Sequence, residues 1–167
     1  MDRSGTAGQL SIRVLLPEQR LDLLDGGGAV VRSFAVSTSK HGAGEQNGSL
    51  QTPRGAHVIR AKIGAGAPAG AVFRGRRPTG EIYSADLART RPRRDWILTR
   101  ILWLSGTDVG KNRLGDVDTM RRYIYIHGTP DTEVLGVPGS IGCIRMANPD
   151  IVELFDRVPV GTPVHIA

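Results

Sequence analysis

Two stretches hold the reading of the fold: Arg122-Tyr123-Ile124-Tyr125-Ile126-His127-Gly128-Thr129 and, downstream, Gly139-Ser140-Ile141-Gly142-Cys143-Ile144-Arg145-Met146. Arg122 to Ile126 is dense in β-branched and aromatic residues, which predicts a buried strand ending at His127. Gly128, Thr129 and Pro130 then signal a turn. A side chain at a strand end beside a glycine turn is placed to face a cleft, and a neighbouring backbone carbonyl is free to orient its ring. In the second stretch Gly142 permits a tight turn, so that N–H groups around Cys143 can converge on one point.

Towards the N-terminus, Leu10 to Leu16 begins with the period-2 alternation of a half-buried strand. Arg20 to Leu24 and Ala29 to Val36 flank Asp25-Gly26-Gly27-Gly28, a hairpin signal. Ser37 to Pro53 is polar and reads as a loop, and Ala56 to Ile63 as another strand. From Gly64 to Thr119 the chain is rich in Gly, Arg and Pro, with short apolar pieces at Ile82-Tyr83 and Trp96 to Leu104. That long, weakly regular segment is expected to be a functional lid.

Towards the C-terminus, Asn148 as cap, Pro149 in the first turn and Asp150 at the positive end predict a helix over about 148–158. Ile151, Leu154, Phe155 and Val158 form its buried stripe. Pro159 and Gly161 stop it, and Pro163 to Ile166 closes the chain as a last strand. Mostly short strands with one short C-terminal helix predict a mainly β, sandwich-like architecture, expected as a single domain over 1–167 with its core at about 10–166.

Composition narrows the class. With 167 residues, 40% hydrophobic, the chain is long enough to bury a core without staples. No run approaches the ~20 apolar residues of a membrane span. A single cysteine, Cys143, excludes an internal disulfide framework and a Cys-based zinc site, and no metal site is expected. The net charge of +6 favours acidic partners. Much of it lies in Arg74, Arg76 and Arg77, then Arg89, Arg91, Arg93 and Arg94, readable as a solvated loop or as an anion-binding surface. Nucleic-acid readers interleave aromatics with such charges, and only Trp96 is near, so no nucleic-acid partner is expected. The first apolar stretch, broken by Ser11 and Arg13, is a strand and not an export signal.

Four histidines and Cys143 are the candidate catalytic groups. His57 and His165 sit in strand patterns and His41 in a polar loop, as structural or solvated histidines do. His127 differs by its place beside Gly128. Cys143 has two readings, a small buried hydrophobe or a nucleophile paired with His127. Arg145, two residues on, would favour the thiolate.

His127-Gly128-Thr129 followed by Ser140-Ile141-Gly142-Cys143-Ile144-Arg145-Met146 resembles the signature of the L,D-transpeptidase catalytic domain. Thr52-Pro53-Arg54-Gly55 is similar to that family's Thr-Pro-x-Gly segment, and Gln19-Arg20-Leu21 to its opening strand pair. Trp103-Leu104 with Gly106, followed by Arg122 to Thr129, resembles a branch common in Gram-negative bacteria. The likeness extends from about Leu10 to Ile166. It implies a mainly β enzyme without metal or organic cofactor, acting on peptidoglycan tetrapeptide stems. By the resemblance, Cys143 attacks the carbonyl of the third stem residue, usually meso-diaminopimelate, and expels D-alanine; the thioester passes to an amine of a neighbouring stem as a 3→3 cross-link. His127 would be the base, the Gly128 carbonyl would hold its ring, and the N–H groups of Gly142 and Cys143 would form the oxyanion site. Ser140, Arg145 and Thr129 would shape the site or meet the substrate, and carbapenems would acylate Cys143. The family often carries histidine where this chain has Ile141. Its members act in the periplasm or cell envelope, whereas no export signal is read here, which leaves a cytoplasmic place open. Two other readings share the residues: an L,D-carboxypeptidase, with water as acceptor, and a basic module that binds nucleic acid or wall polymer and carries an incidental cysteine.

Overall fold

The computed structural model describes residues 8–167; residues 1–7 of the expected domain lie outside it. Ten strands occur among the described residues: β1 (Ser11–Leu15), β2 (Arg20–Leu24), β3 (Val30–Ser37), β4 (Gly55–Ile63), β5 (Ala71–Arg74), β6 (Arg77–Ile82), β7 (Ile97–Gly106), β8 (Tyr125–Thr129), β9 (Ile144–Ala147) and β10 (Pro163–Ile166). Two α-helices join them, α1 (Ala85–Thr90) and α2 (Asn148–Arg157). The strands form one sheet in the order β4-β10-β1-β2-β3-β9-β8-β7-β5-β6, and β4 also pairs with β7. That extra pairing closes eight strands into a barrel-like sandwich and leaves the β5–β6 hairpin as a flap. β7 serves both: Leu98 and Ile97 pair with Val72 and Phe73 of β5, while Ile101 to Gly106 pair with β4.

Alternation along the strands divides the apolar residues between two faces. Ile126, Ile144, Met146, Leu102 and Leu104 point inward with Val14, Leu21, Leu23, Val36 and Ile59, and Ile151, Leu154 and Phe155 of α2 cover this core. The opposite face of β7 and β8 carries Ile101 and Tyr125, which pack with Phe73 and Ala71 of the flap and with Cys143.

Three expectations change. The segment 64–119 is not weakly regular: it holds the β5–β6 hairpin, α1 and β7, the longest strand at 10 residues. Trp96 to Leu104 is a near-continuous apolar run because β7 is buried on both faces, a pattern that hides the strand period. The strand expected to end at His127 instead runs Tyr125–Thr129, so His127 lies in its middle. Arg122 and Tyr123 are in the preceding turn, where Tyr123 has φ 57°. The cap of α2 is Ala147, without a side-chain bond. Asn148 is engaged elsewhere, its Oδ1 accepting from Thr99 Oγ1 at 2.6 Å.

Candidate active site

β8 and β9 are adjacent and parallel, with Ile126 opposite Ile144, His127 opposite Arg145, and Gly128 opposite Met146. Since Ile126 and Ile144 face the core, strand alternation turns Tyr125, His127 and Thr129, together with Cys143 and Arg145, to the other face. Ser37 of β3, opposite Arg145, extends the same row. The sheet thus gathers the candidate groups on its outer surface, beneath the flap.

His127 is fully buried, and its Nδ1 lies 2.6 Å from the Gly128 carbonyl oxygen. A carbonyl only accepts, so Nδ1 carries the proton and Nε2 presents its lone pair. That Nε2 has no partner. Burial lowers the His127 pKa, with Arg145 adding to the effect against Asp95 and the Gly128 carbonyl. The imidazole is therefore neutral at neutral pH and free to take a proton. Gly128 admits no side chain: a Cβ would stand 2.6 Å from the Leu98 carbonyl oxygen and would collide with Asn148 Oδ1.

Cys143 Sγ accepts from the Tyr125 N–H at 3.3 Å and donates to the Tyr123 carbonyl at 3.3 Å. Burial pushes the thiol up to about 12, with Asp95 adding to the rise, against the Tyr125 N–H and the charges of Arg145 and Arg122. The expectation that Arg145 favours the thiolate is thus outweighed in this state by desolvation. Arg145 is largely neutralised in any case: it meets Asp95 at 2.8 Å, Glu133 at 3.5 Å and the Gly139 carbonyl at 3.2 Å. Its place in the site is to fix two loops around His127.

Gly142 has φ 135°, a conformation that favours glycine, and its added Cβ would stand 3.1 Å from Ile124 Cδ1. Its N–H donates to Ser140 Oγ at 3.3 Å, so one of the two groups expected at the oxyanion site already has a long bond to exchange. Ser140 is buried and gives its own hydroxyl proton to the Cys143 carbonyl at 2.6 Å. It holds the turn at Cys143 and does not face outward. Thr129 is buried with an unpartnered Oγ1 among the site residues. Ile141 is 45% exposed and so contributes little packing.

Several participants escaped the sequence reading. Thr52 Oγ1 donates to the Gly142 carbonyl at 2.9 Å, so the Thr-Pro-x-Gly segment braces the turn before Cys143 across 90 positions. Arg122 reaches the Gln51 carbonyl at 2.6 Å and ties the same loop to the turn before β8. Tyr125 is signalled by its place two residues before His127 on one strand face. Asp95 has no sequence signal. His57 is structural as expected, buried between the Gly55 carbonyl and Thr119 Oγ1, each 2.9 Å away. His41 and His165 are exposed. No cluster of His, Cys, Asp or Glu able to hold a metal occurs among the described residues, and none of their helices is long and apolar enough to cross a membrane.

The family model of the YkuD L,D-transpeptidase catalytic domain matches residues 9–166. The chain belongs to that family. A stretch of 45 residues, 27% of the chain, is 53% identical to the probable L,D-transpeptidase ErfK/SrfK of Salmonella typhimurium and spans 15% of that protein. An L,D-transpeptidase from Mycobacterium smegmatis shares the fold with a TM-score of 0.56 at 19% identity, over 95% of this chain and 58% of that one. L,D-transpeptidase 3 from Mycobacterium tuberculosis, solved with a faropenem-derived adduct, has a TM-score of 0.56 at 15% identity, over 94% and 59%. The chain thus spans well under two thirds of these relatives' lengths. With the closed sheet, the expected mainly β, sandwich-like L,D-transpeptidase fold is present.

Proposed function

We propose that the protein is an L,D-transpeptidase of peptidoglycan stem peptides, with Cys143 as nucleophile and His127 as base. One observation carries this reading. A neutral, buried imidazole with its tautomer fixed by Gly128 shares the outer face of two adjacent strands with the only cysteine.

The resting thiol is protonated and bonded to the Tyr123 carbonyl. Substrate entry requires Sγ to turn from that carbonyl to His127 Nε2, which takes the proton. The thiolate then adds to the carbonyl carbon of the third stem residue, and the electron pair moves to oxygen. Backbone N–H groups of Gly142 and Cys143 receive that charge, Gly142 releasing Ser140 Oγ. Collapse of the adduct breaks the C–N bond, and His127 returns its proton to the departing D-alanine amine. An acceptor amine next gives a proton to His127 and attacks the thioester, forming the 3→3 cross-link and freeing Cys143. Thr129, whose unpartnered hydroxyl lies on the strand face of His127, is the residue we assign to binding the stem. A cavity of about 510 Å³ lined by Phe73, Arg74, Arg91, Arg94 and Asp95 opens beside the site. Its arginines suit carboxylate-bearing peptide. The cell envelope is the place of action that accompanies such a substrate, and β-lactams of the penem and carbapenem classes are the matching inactivators.

Purified tetrapeptide muropeptide, followed by mass spectrometry, tests the reading. D-Alanine release together with a cross-linked dimer is expected. Release without dimer would make the protein an L,D-carboxypeptidase, and no reaction would overturn the assignment. Cys143→Ala and His127→Ala should each cost ~10²–10⁴-fold or more, and the double variant little beyond either single one.

A further inference from the structure

β5 and β6 are joined by a two-residue turn, with Arg74 opposite Arg77. Both turn residues have positive φ, Gly75 at 56° and Arg76 at 63°. Such a turn suits the twist of a hairpin but favours Asn or Gly at each position. An arginine there has a use for its side chain. The Arg76 guanidinium carbon stands 4.7 Å from the centroid of Trp103 and 4.6 Å from that of Tyr123. Its Nη1 donates to the Tyr125 hydroxyl at 3.0 Å. The three rings form a cup: Trp103 and Tyr125 meet edge to face at 5.9 Å, and Trp103 and Tyr123 lie 6.1 Å apart. Aromatic cups of this kind select cations by the negative faces of their rings. The cup adjoins the nucleophile, because Tyr123 and Tyr125 supply the carbonyl and the N–H that hold Cys143 Sγ.

We propose that Trp103, Tyr123 and Tyr125 form a subsite for an ammonium group of the peptide substrate, filled in the resting protein by Arg76 as a built-in competitor. The flap tip is the removable part. Lifting β5–β6 withdraws one cation and opens a cup sized for another, in the cluster against which Cys143 packs. An amine-bearing stem then gains affinity only when it displaces the flap, which ties access to Cys143 to the correct charge. This rests on Cys143 being the nucleophile, but not on the identity of the acyl acceptor.

The test reads thiol labelling, which needs no transpeptidation. Cys143 in the full chain is treated with a trimethylammonium-bearing methanethiosulfonate and, separately, with neutral methyl methanethiosulfonate, and the two rates are compared as a ratio. Arg76→Ala should raise the cationic-to-neutral ratio about three- to tenfold over the unaltered chain. The double variant Arg76→Ala/Tyr123→Leu, which has the same net charge as Arg76→Ala, should lose that gain. Tyr123 is 53% exposed, so its replacement leaves the core intact. Equal acceleration of both reagents in Arg76→Ala would reduce the arginine to a steric cover and overturn the proposal. A ratio that persists in the double variant would assign the gain to bulk charge alone and would overturn it equally. Failure to process muropeptide while the labelling pattern holds would remove the transpeptidase reading and leave the cation subsite standing.

Discussion

Cys143 keeps its proton at neutral pH because its surroundings stabilise the thiolate less than water does. The Tyr125 N–H and the nearby arginines work against that burial and do not overcome it. In the proposed mechanism such a thiol depends on a base, and the Gly128 carbonyl holds His127 in the tautomer that leaves Nε2 free to accept. The raised thiol pKa gives a test in the absence of substrate. Alkylation of Cys143 by iodoacetamide should climb steadily from pH 7 to beyond pH 10, without the plateau that an ordinary thiol shows near 9. A plateau at pH 8 to 9 would mean that the sulfur is solvated and that His127 is not needed to draw off its proton. In the proposed mechanism Ile141 contributes only through the main chain. Its side chain points half into solvent, while the path of the turn is set by Gly142 and braced by Ser140 and Thr52.

The parallel β8–β9 pair puts His127 and Cys143 on one face of the sheet, and the polar loop after β3 keeps the turn before Cys143 in register. Thr52 is the brace, buried, with its Oγ1 donating to the Gly142 carbonyl at 2.9 Å and accepting from the Ser39 N–H at 3.0 Å. Thr52→Val preserves shape and removes both bonds, leaving two buried backbone groups unpaired. Such losses cost about 1–3 kcal/mol each. We expect urea unfolding to show a loss of about 2 kcal/mol or more, and turnover of tetrapeptide stems to fall more than KM rises, because the proposed mechanism draws its transition-state donors from this turn. Unchanged turnover in a destabilised variant would make Thr52 a fold residue alone. Arg122, bridging the same loop to the turn before β8, acts in the same direction.

Closure of the sheet through β4 and β7 buries His57 against Thr119, and its stability depends on pH accordingly. Desolvation takes the His57 pKa from 6.5 to about 4. Between those values the unfolded chain takes up a proton that the folded chain refuses. The favourable contribution is complete above pH 6.5 and is lost as pH falls towards 4, about 3 kcal/mol over the window. His57→Gln lacks the titration. Its Tm should be lower at pH 7.5 but should decline less steeply between pH 6.5 and 4 than that of the unaltered chain. Parallel declines would place the acid sensitivity elsewhere, with the buried His127 next in line.

Much of this molecule is legible in residue pattern because the signals are local. Alternation at Leu10 to Leu16, the glycine turn at Asp25 to Gly28 and the stripe Ile151-Leu154-Phe155-Val158 each state their own geometry, and β1, the β2–β3 hairpin and α2 follow. The motif residues from His127 to Arg145 are legible through family likeness, and His127, Cys143 and Arg145 among them do share one face of the sheet. Other features are fixed only by the tertiary structure. β7 is buried on both faces, so its periodicity vanishes, and its pairing with β4, which closes the sheet, is a contact between residues far apart in sequence. Asn148 has the chemistry of a cap, yet Thr99 claims its oxygen across the fold. Arg76 sits among other arginines with nothing local to single it out, until the hairpin carries it onto Trp103 and Tyr123. Sequence by itself determined β1, the β2–β3 hairpin, α2 and the choice of Cys143 and His127 as candidates, whose identities reside in side chains and short-range turns. Only the tertiary structure decided which face the pair shares, what holds the thiol at rest and which cation lies beside it, because burial and long-range pairing arise when distant segments meet.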